Sequence, residues 1–505
     1  MSVQAAPHTG SIPQVERGHP KGLAMLFFAE MWERFSYYGM RALLVLYMTK
    51  SALAYGDQRA YAVYGSYTAL VYMTPLFGGM IADRLLGYRK AVAAGAILMA
   101  LGHFAMAIQS EQMFYLALGL LICGNGLFKP NISTIVGRLY APGDPRRDGG
   151  FTIFYMGINL GAGLAPLVCG YVGETYGWHW GFGIAGVGML AGLLVFQRGR
   201  ATIGDIAEPP DVERLRAPVA AGLSREWLVY LGTAVAVLVA WQLVQRSTEV
   251  GVLLSLVGAA AIIGILAYTF NHCEPVERDR VIVALVLTAF GMVFWAFFEQ
   301  AGSSINLFTD RNVDRAVGSL ELKTSMFQAV NPAFILMFGP LFNMLWVSLS
   351  GAGREPSIAT KFGAGIFQLG LGFAVLYAGA ATAGPDGVVG LTWLLLAYLL
   401  HTTGELCLSP VGLSMITKLS PARIGGLMMG TWFLSTAFSQ YVAGMIAALT
   451  GVSGEIADSG TLPSAADTVM VYGNVFGGLA VIACVTGVIL LVLAPVLSKR
   501  THGVQ

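Results

Sequence analysis

Long apolar segments constrain this chain more than any other feature of its sequence. A helix that crosses a membrane needs about 20 mostly apolar residues, and fourteen segments of roughly that length are present. Their apolarity is continuous rather than alternating, which favours helices over a barrel, because unpaired backbone groups are too costly in lipid. The sequence therefore predicts an all-α membrane protein. The segments lie at about 23–48, 60–82, 91–109, 113–138, 151–175, 180–197, 227–245, 250–270, 281–308, 324–349, 360–381, 388–416, 424–450 and 470–497.

The scarcity of charge excludes several classes of protein. Only 11% of the 505 residues are Asp, Glu, Lys or Arg, whereas soluble proteins carry about a quarter, so a water-soluble enzyme is excluded. No basic domain is present, which argues against a nucleic-acid partner. The five cysteines are scattered, without the spacing of a disulfide framework or a metal site. We expect no metal, no cofactor and no catalytic constellation.

Basic residues predict the orientation of the chain in its membrane. If the N-terminus is inside, 21 of the 30 Lys and Arg residues fall on the inner side, 6 on the outer side and 3 within predicted helices. This ratio predicts that both termini are cytoplasmic and that the number of spans is even. The chain is therefore expected in a plasma or bacterial inner membrane.

The first predicted helix carries charged residues where lipid would otherwise surround them. Charge at that depth is costly unless it faces a cavity or a partner, so it marks function by default. Arg34 lies about 16 Å into the helix at 1.5 Å per residue, which is close to mid-membrane. An ion-pair stripe that only locks helices together would need fewer charges. The residues that share this face are Glu30, Glu33, Arg34, Tyr37, Tyr38 and Arg41.

Other predicted helices carry polar residues at a similar depth. Lys129 lies on the fourth helix, Asn159 on the fifth and Glu405 on the tenth, all within a turn or two of Arg34. Arg41 and Glu299 both fall in the outer half, where they can pair. Further hydrogen-bonding and aromatic surface would come from Tyr72, Trp295, Asn331 and Trp432, although each aromatic residue taken alone is better explained by packing.

This set of residues suits a zwitterion. Arg34 and Lys129 can hold a carboxylate, with the arginine bidentate, and Glu405 can hold an ammonium group. Burial disfavours the charged forms of Glu30, Glu33 and Glu299, whereas neighbouring bases favour them. Carboxyl groups balanced in this way can take up and release protons.

At these residues the sequence resembles the proton-dependent oligopeptide transporter family, the peptide transporter branch of the major facilitator superfamily. Glu30-Met-Trp-Glu33-Arg34-Phe-Ser-Tyr-Tyr-Gly matches the family motif ExxERFxYYG. The segment 79–90, with Asp83, Arg84 and Arg89, matches the superfamily's loop between helices two and three. Residues 154–161, with Asn159, match the start of a fifth-helix signature. Further landmarks are Asn331-Pro332, Gly404-Glu405, Ser409-Pro410 and Trp432-Phe433.

The resemblance implies the major facilitator fold, with two six-helix bundles plus two extra helices between them. The implied units are a cytoplasmic tail at 1–22, a bundle at 23–197, a cytoplasmic linker at 198–225, the extra helices at 226–270 and a second bundle at 281–497. It also implies proton-driven import of di- and tripeptides by alternating access. One such bundle pair encloses the whole site, so a monomer suffices.

The resemblance also implies a role for each site residue. Arg34, Tyr38 and Lys129 would bind the peptide carboxylate, and Asn159, Asn331 and Glu405 its amino group. Tyr72, Trp295, Ser409 and Trp432 would line the cavity. Glu30, Glu33 and Glu299 would couple protons, Arg41 and Glu299 would form part of an outer gate, and Asp83, Arg84 and Arg89 would latch the cytoplasmic side.

Three alternatives remain at this stage. The first is a family member that carries nitrate or another small solute, although Glu405, Asn159 and Asn331 favour a substrate with an amino group. The second is a drug–proton antiporter, which would not need opposed charges for both ends of a zwitterion. The third is a membrane enzyme or a receptor. The motif also departs from the family where Ala162-Gly163 replaces Ser-Leu in the fifth helix and Ser439-Gln440 replaces Gly-Asn.

Overall fold

The computed structural model describes residues 18–141, 143–220, 222–451 and 464–503. Most of the predicted tail at 1–22, including residues 1–17, lies outside the described residues. The long helices are α1 (Gly22–Lys50), α2 (Asp57–Ile81), α3 (Tyr88–Met106), α4 (Glu111–Arg138), α5 (Arg147–Ala165), α6 (Trp178–Gly199), α7 (Arg225–Leu243), α8 (Ser247–His272), α9 (Pro275–Phe298), α10 (Val330–Gly351), α11 (Ile358–Ala381), α12 (Leu391–Leu419), α13 (Gly425–Ala448) and α14 (Ala465–Arg500).

The helical membrane architecture predicted from the apolar segments is confirmed. Within the described residues, eleven helices are long and apolar enough to cross a membrane. The remaining long helices are α1, α3 and α13, and α1 is the one that carries the charged stripe. Most helices extend a few residues beyond the apolar segment that predicted them, because backbone hydrogen bonding continues into the polar ends.

Several spans contain irregular turns. α2 continues through a π-helical turn at Ala82–Leu86, and α5 continues through another at Pro166–Gly170 into the short helix Tyr171–Tyr176. The segment predicted as one helix at 281–308 is broken after α9 by a 3₁₀ turn at Glu299–Gly302, followed by the helix Ser304–Asn312. Glycine and serine residues follow Glu299, and serine hydroxyls compete for backbone hydrogen bonds in a helix. A 3₁₀ helix at Thr324–Ala329 leads into α10.

Among the described residues, two connections are long: the linker between α6 and α7, and the segment from Glu299 to Ala329 between α9 and α10. The linker contains the helical turns Arg200–Thr202 and Gly204–Ala207, the short helix Val212–Arg216, and two antiparallel strands, Pro218–Ala220 and Leu223–Ser224. A second small hairpin pairs Ala316–Val317 with Leu320–Glu321.

Two sets of six helices pack against each other along a seam. In the first set α1 packs on α5 and α6, and α4 packs on α2 and α3; in the second set α11 packs on α12 and α14. The seam is formed by α2 with α13 and by α5 with α10. The α2–α13 crossing is close, since a Cβ atom on Gly65 would lie 2.9 Å from the Cα atom of Gly444. The extra helices span the seam, because α7 packs on α4 while α8 packs on α13 and α2.

Polar contacts tie the two halves together at the end of the bundle where α1 ends and α2 begins. Lys50 Nζ lies 2.5 Å from Asp310 Oδ1, and Arg311 donates to both carboxylate oxygens of Asp57 at 2.6 and 2.7 Å. The Ser325 amide donates to Glu174 at 2.8 Å. We call Lys50–Asp310, Asp57–Arg311 and Glu174–Ser325 the outer contacts. They close this end of the seam.

Candidate functional site

A cavity of about 210 Å³ lies between the two halves. α1, α2 and α5 form its walls in the first half, and α9, α10 and α12 form them in the second. Nine of the residues singled out from the sequence line it: Tyr38, Arg41, Tyr72, Asn159, Trp295, Glu299, Asn331, Glu405 and Ser409. The structure therefore brings together residues that are up to 371 positions apart in the chain.

The wall from the second half is acidic. Glu405 on α12 is 7% exposed, and its Oε2 atom accepts a hydrogen bond of 2.9 Å from the Asn331 side-chain amide on α10. The same Asn331 nitrogen lies 3.0 Å from the Thr402 hydroxyl, one turn before Glu405. From the first half, Asn159 on α5 also lines the cavity, and its side-chain amide donates a hydrogen bond of 3.0 Å to the Tyr155 carbonyl. The site thus presents a carboxylate and amide oxygens, which are acceptors suited to an ammonium group.

The charged stripe on α1 is buried beside this cavity. Arg34 is 3% exposed and lies between two carboxylates: its Nε atom is 3.2 Å from Glu30 Oε1, and Glu33 takes hydrogen bonds from both Nε and Nη2. The Asn125 amide on α4 donates to Glu33 Oε1 at 3.2 Å. The second carboxylate oxygen of Glu30 is buried without a hydrogen-bond partner. Arg34 can therefore hold a substrate carboxylate only if one of these acids releases it.

Lys129 provides a second positive charge near the stripe. Its ammonium group lies 4.6 Å from the centre of the Tyr72 ring and is within electrostatic range of Glu30 and Glu33. The cation–π contact connects Lys129 to the cavity, because Tyr72 is one of the lining residues. The first half therefore places basic residues behind the tyrosines that line the cavity, whereas the second half places acidic residues in the lining itself.

A buried ion pair joins the halves at the end of the cavity nearer the outer contacts. Arg41 on α1 contacts Glu299, the first residue after α9, and both are less than a tenth exposed. The break in the helix after α9 places Glu299 in a turn that faces the seam. The sequence predicted that these two residues can pair, and the structure places them in contact.

Three predicted residues lie away from the cavity, around the loop between α2 and α3: Asp83 and Arg84 are in the π-helical turn and Arg89 is in the first turn of α3. Asp83 accepts a 2.5 Å hydrogen bond from Tyr88, Arg89 pairs with Glu208 of the linker at 2.6 Å, and Arg84 is exposed. These contacts join the loop to the linker. Trp432 is 9% exposed and packs beside Gly412 and Gly291 in the second half, outside the cavity lining.

Sequence reasoning missed several lining residues. Tyr155, Phe298, Gln328, Tyr398 and His401 line the cavity without having been singled out from the sequence. Tyr155 belongs to the quoted fifth-helix motif, and Gln328 precedes Asn331 by one turn. Only their spacing from known site residues could have indicated them. Among the described residues, no group of three or more His, Cys, Asp or Glu side chains could hold a metal ion.

Comparison with known protein families gives a direct match. Residues 89–462 match the profile described as "PTR2: POT family". Among curated proteins, an uncharacterized transporter of Bacillus subtilis is 38% identical over 96% of both chains. The peptide transporter YePEPT of Yersinia enterocolitica is 39% identical over 85% of this chain and 88% of its own length. Dipeptide and tripeptide permease B of Aliivibrio fischeri is 32% identical over 96% of both chains.

Solved structures agree with these matches. A mutant of a POT peptide transporter in complex with alafosfalin superposes with a TM-score of 0.80 at 38% identity, over 97% of both chains. A POT family transporter in complex with 5-aminolevulinic acid gives a TM-score of 0.81 at 32% identity, over 96% of this chain and 98% of the other.

Proposed function

This chain belongs to the POT family, and from that premise we propose that it is a proton-coupled symporter that imports di- and tripeptides by alternating access. One observation carries the proposal. The cavity between the halves has acceptors for an ammonium group on one wall, at Glu405 and Asn331, and basic residues behind the opposite wall, at Arg34 and Lys129. A peptide is a zwitterion with fixed charges at its two ends.

Each end of the peptide has its own set of side chains. Glu405, Asn331 and Asn159 bind the amino group. Arg34, Lys129 and Tyr38 bind the carboxylate. Tyr72, Trp295 and Ser409 contact the peptide between its ends, and Trp432 supports this wall from behind. Such opposed charges discriminate against nitrate and against drugs that lack one of the two charges.

Proton coupling follows from the partners of Arg34. Glu33 and Glu30 occupy its guanidinium group in the structure. When a proton neutralises one of these acids, the guanidinium is released to bind the peptide carboxylate with two hydrogen bonds. Protonation of Glu299 weakens its pair with Arg41 and lets the outer end of the seam open. The inward proton gradient drives both steps, and the halves rock around the cavity.

The excess of basic residues on one side supports a bacterial inner-membrane location, with both termini cytoplasmic. In that orientation the outer contacts face the periplasm, and the cavity is closed towards it. The α2–α3 loop latches the cytoplasmic side through Asp83, Arg84 and Arg89. One chain contains the whole cavity, so a monomer suffices for transport. The protein acts as a transporter and catalyses no reaction.

Concentrative uptake of a labelled dipeptide into proteoliposomes tests the function. The unchanged protein should accumulate dipeptide when the interior is alkaline. Arg34→Ala should abolish uptake, since a carboxylate loses a bidentate partner. Glu30→Gln and Glu33→Gln should abolish accumulation against a gradient while the cavity remains intact.

The controls separate the alternatives. Glu249→Gln changes an exposed acid at the start of α8 and should transport like the unchanged protein. A dipeptide should raise the melting temperature, whereas nitrate and cationic drugs should not. Normal accumulation by Arg34→Ala, or stabilisation by nitrate alone, would overturn the proposal.

A further inference from the structure

The guanidinium group of Arg41 has two partners, one from each half of the protein. Its Nε atom donates a hydrogen bond of 2.7 Å to the hydroxyl of Tyr64 on α2, in the same half as Arg41. Its Nη2 atom contacts Glu299 in the other half. Tyr64 is fully buried, and Arg41 is 7% exposed. The hydroxyl and the carboxylate therefore bind different nitrogens of one planar group.

The turn that carries Glu299 is shaped around this arrangement. Gly302 closes the turn, and a Cβ atom there would lie 2.0 Å from the Tyr64 hydroxyl oxygen and 3.0 Å from Arg41 Nη2. A side chain at this position would displace both groups. Because Gly302 has no side chain, both Tyr64 and Arg41 can approach the backbone of the second half.

We propose that Tyr64 is a positioning residue for proton coupling, which holds Arg41 so that its Nη2 group faces Glu299. This inference rests on the proposed function, in which Glu299 carries a proton. With Nε bound to Tyr64, the guanidinium cannot rotate away from the seam. When Glu299 is protonated, the pair between the halves breaks while Arg41 stays in its place in the first half. The Arg41–Glu299 ion pair can then re-form in the next cycle, because Arg41 already has the required orientation.

Removal of the hydroxyl changes this balance in a defined way. In Tyr64→Phe the Nε–H group is buried without a partner, so the guanidinium turns to satisfy it and no longer directs its Nη2 group at Glu299. The contact between Arg41 and Glu299 is then weakened, although no charge has been removed. Other groups in electrostatic range of the Arg41–Glu299 pair stay in place; they are Tyr37, Tyr38, Tyr67, Tyr72, Lys129, Tyr398 and Glu405.

The test compares two transport modes of Tyr64→Phe in proteoliposomes. Uptake driven by a proton gradient should fall about tenfold, the effect of one lost hydrogen bond to a charged group, and its pH profile should shift. Exchange of dipeptide for dipeptide without a gradient should stay within about twofold, because the peptide-binding residues are untouched. A purely structural role would lower both modes together and leave the pH profile unchanged.

Two further variants support the interpretation. In Gly302→Ala the added methyl group, which comes from the second half, displaces the Tyr64 hydroxyl and Arg41. This variant should reproduce the loss of coupling. Tyr61→Phe removes another fully buried hydroxyl one turn away on α2 and should retain the normal pH profile. Each variant is first checked for a single melting transition.

The outcomes distinguish this inference from the proposed function. If the unchanged protein does not accumulate dipeptide, the proposed function fails. If it does and Tyr64→Phe keeps the same coupling and the same pH profile, the role of Tyr64 alone is overturned. Loss of coupling in Tyr61→Phe to the same extent would also overturn it.

Discussion

At the scale of single residues, ionisable side chains within predicted membrane segments were the informative signal. Arg34, Glu33 and Glu405 could be identified because a membrane segment rarely carries ionisable groups without a partner. Tyr64 could not, because a tyrosine within an apolar helix is usually explained by packing. Its role depends on Arg41 and on Gly302, a residue 238 positions later. Contacts of this kind depend on tertiary structure, which the local sequence does not encode.

Glu405 offers the sharpest test of a single residue. Glu405→Gln keeps an oxygen that can accept the Asn331 hydrogen bond but removes the negative charge that we propose as the partner of the peptide amino group. We expect the affinity for an unmodified dipeptide to fall about 10- to 100-fold, the range for a charge-assisted hydrogen bond. Binding would be measured by competition against a labelled peptide.

An N-acetylated dipeptide provides the matched comparison for this variant. It has no ammonium group, so Glu405→Gln should bind it as weakly as the unchanged protein does. Glu249→Gln serves as the control for removal of an acid. An equal loss for both peptides would mean that Glu405 maintains the cavity and does not recognise the amino group.

At the scale of elements, the existence and order of the helices could be predicted, but their irregularities could not. The span expected at 281–308 is broken after α9, and this break places Glu299 against Arg41. Hydrophobicity reports where a chain meets lipid, and it is the same for an intact and a broken helix. Likewise, the extra helices could be counted from sequence, whereas their position across the seam follows from packing on α4, α13 and α2.

The connection between α10 and α11 gives a prediction about stability. Glu355 in this connection accepts a 2.6 Å hydrogen bond from Lys361, which is 7% exposed on α11 and also lies 4.8 Å from the Trp346 ring centre. The hydrogen bond from Lys361 holds the pKa of Glu355 below its usual range. Glu355→Gln should cost about 1 kcal/mol at pH 7, a modest figure because the carboxylate is partly exposed.

The sign of the pH dependence follows from the lowered pKa. The ionised carboxylate stabilises the folded protein at every pH above its unfolded pKa, and this contribution disappears as the pH falls through the folded value. The difference in melting temperature between Glu355→Gln and the unchanged protein should therefore be full at pH 7, begin to shrink only near the ordinary glutamate pKa of about 4.3, and disappear as the pH falls through the lowered pKa of Glu355. Glu249→Gln should show no such dependence. A difference that persists in acid would argue against the ion pair.

At the scale of the whole molecule, closure at the outer end is distributed over several contacts. The sequence indicated Arg41 with Glu299, but it gave no sign of the outer contacts, since their partners come from distant, unrelated segments. Asp57–Arg311 is the best formed of them, with two hydrogen bonds and both side chains about a tenth exposed. Arg311 also donates to Tyr472 at 3.1 Å. Separation of the two halves at this end requires all of these contacts to break together.

Reversal of one charge in this pair should therefore shift the whole molecule. In Asp57→Arg, two guanidinium groups face each other across the seam, and the outward-open population should rise about tenfold or more, since a partly buried ion pair has become a repulsion. Spin labels at Gln109 and Ala381, both exposed at this end, would report the change as longer distances in a variant without the native cysteines.

Asp57→Arg combined with Arg311→Asp restores opposite charges and should return the distances to the closed range. If the double variant stays open, the effect belongs to the fold of α2 and not to the pair. If Asp57→Arg stays closed, the remaining contacts suffice and the pair is not part of the gate.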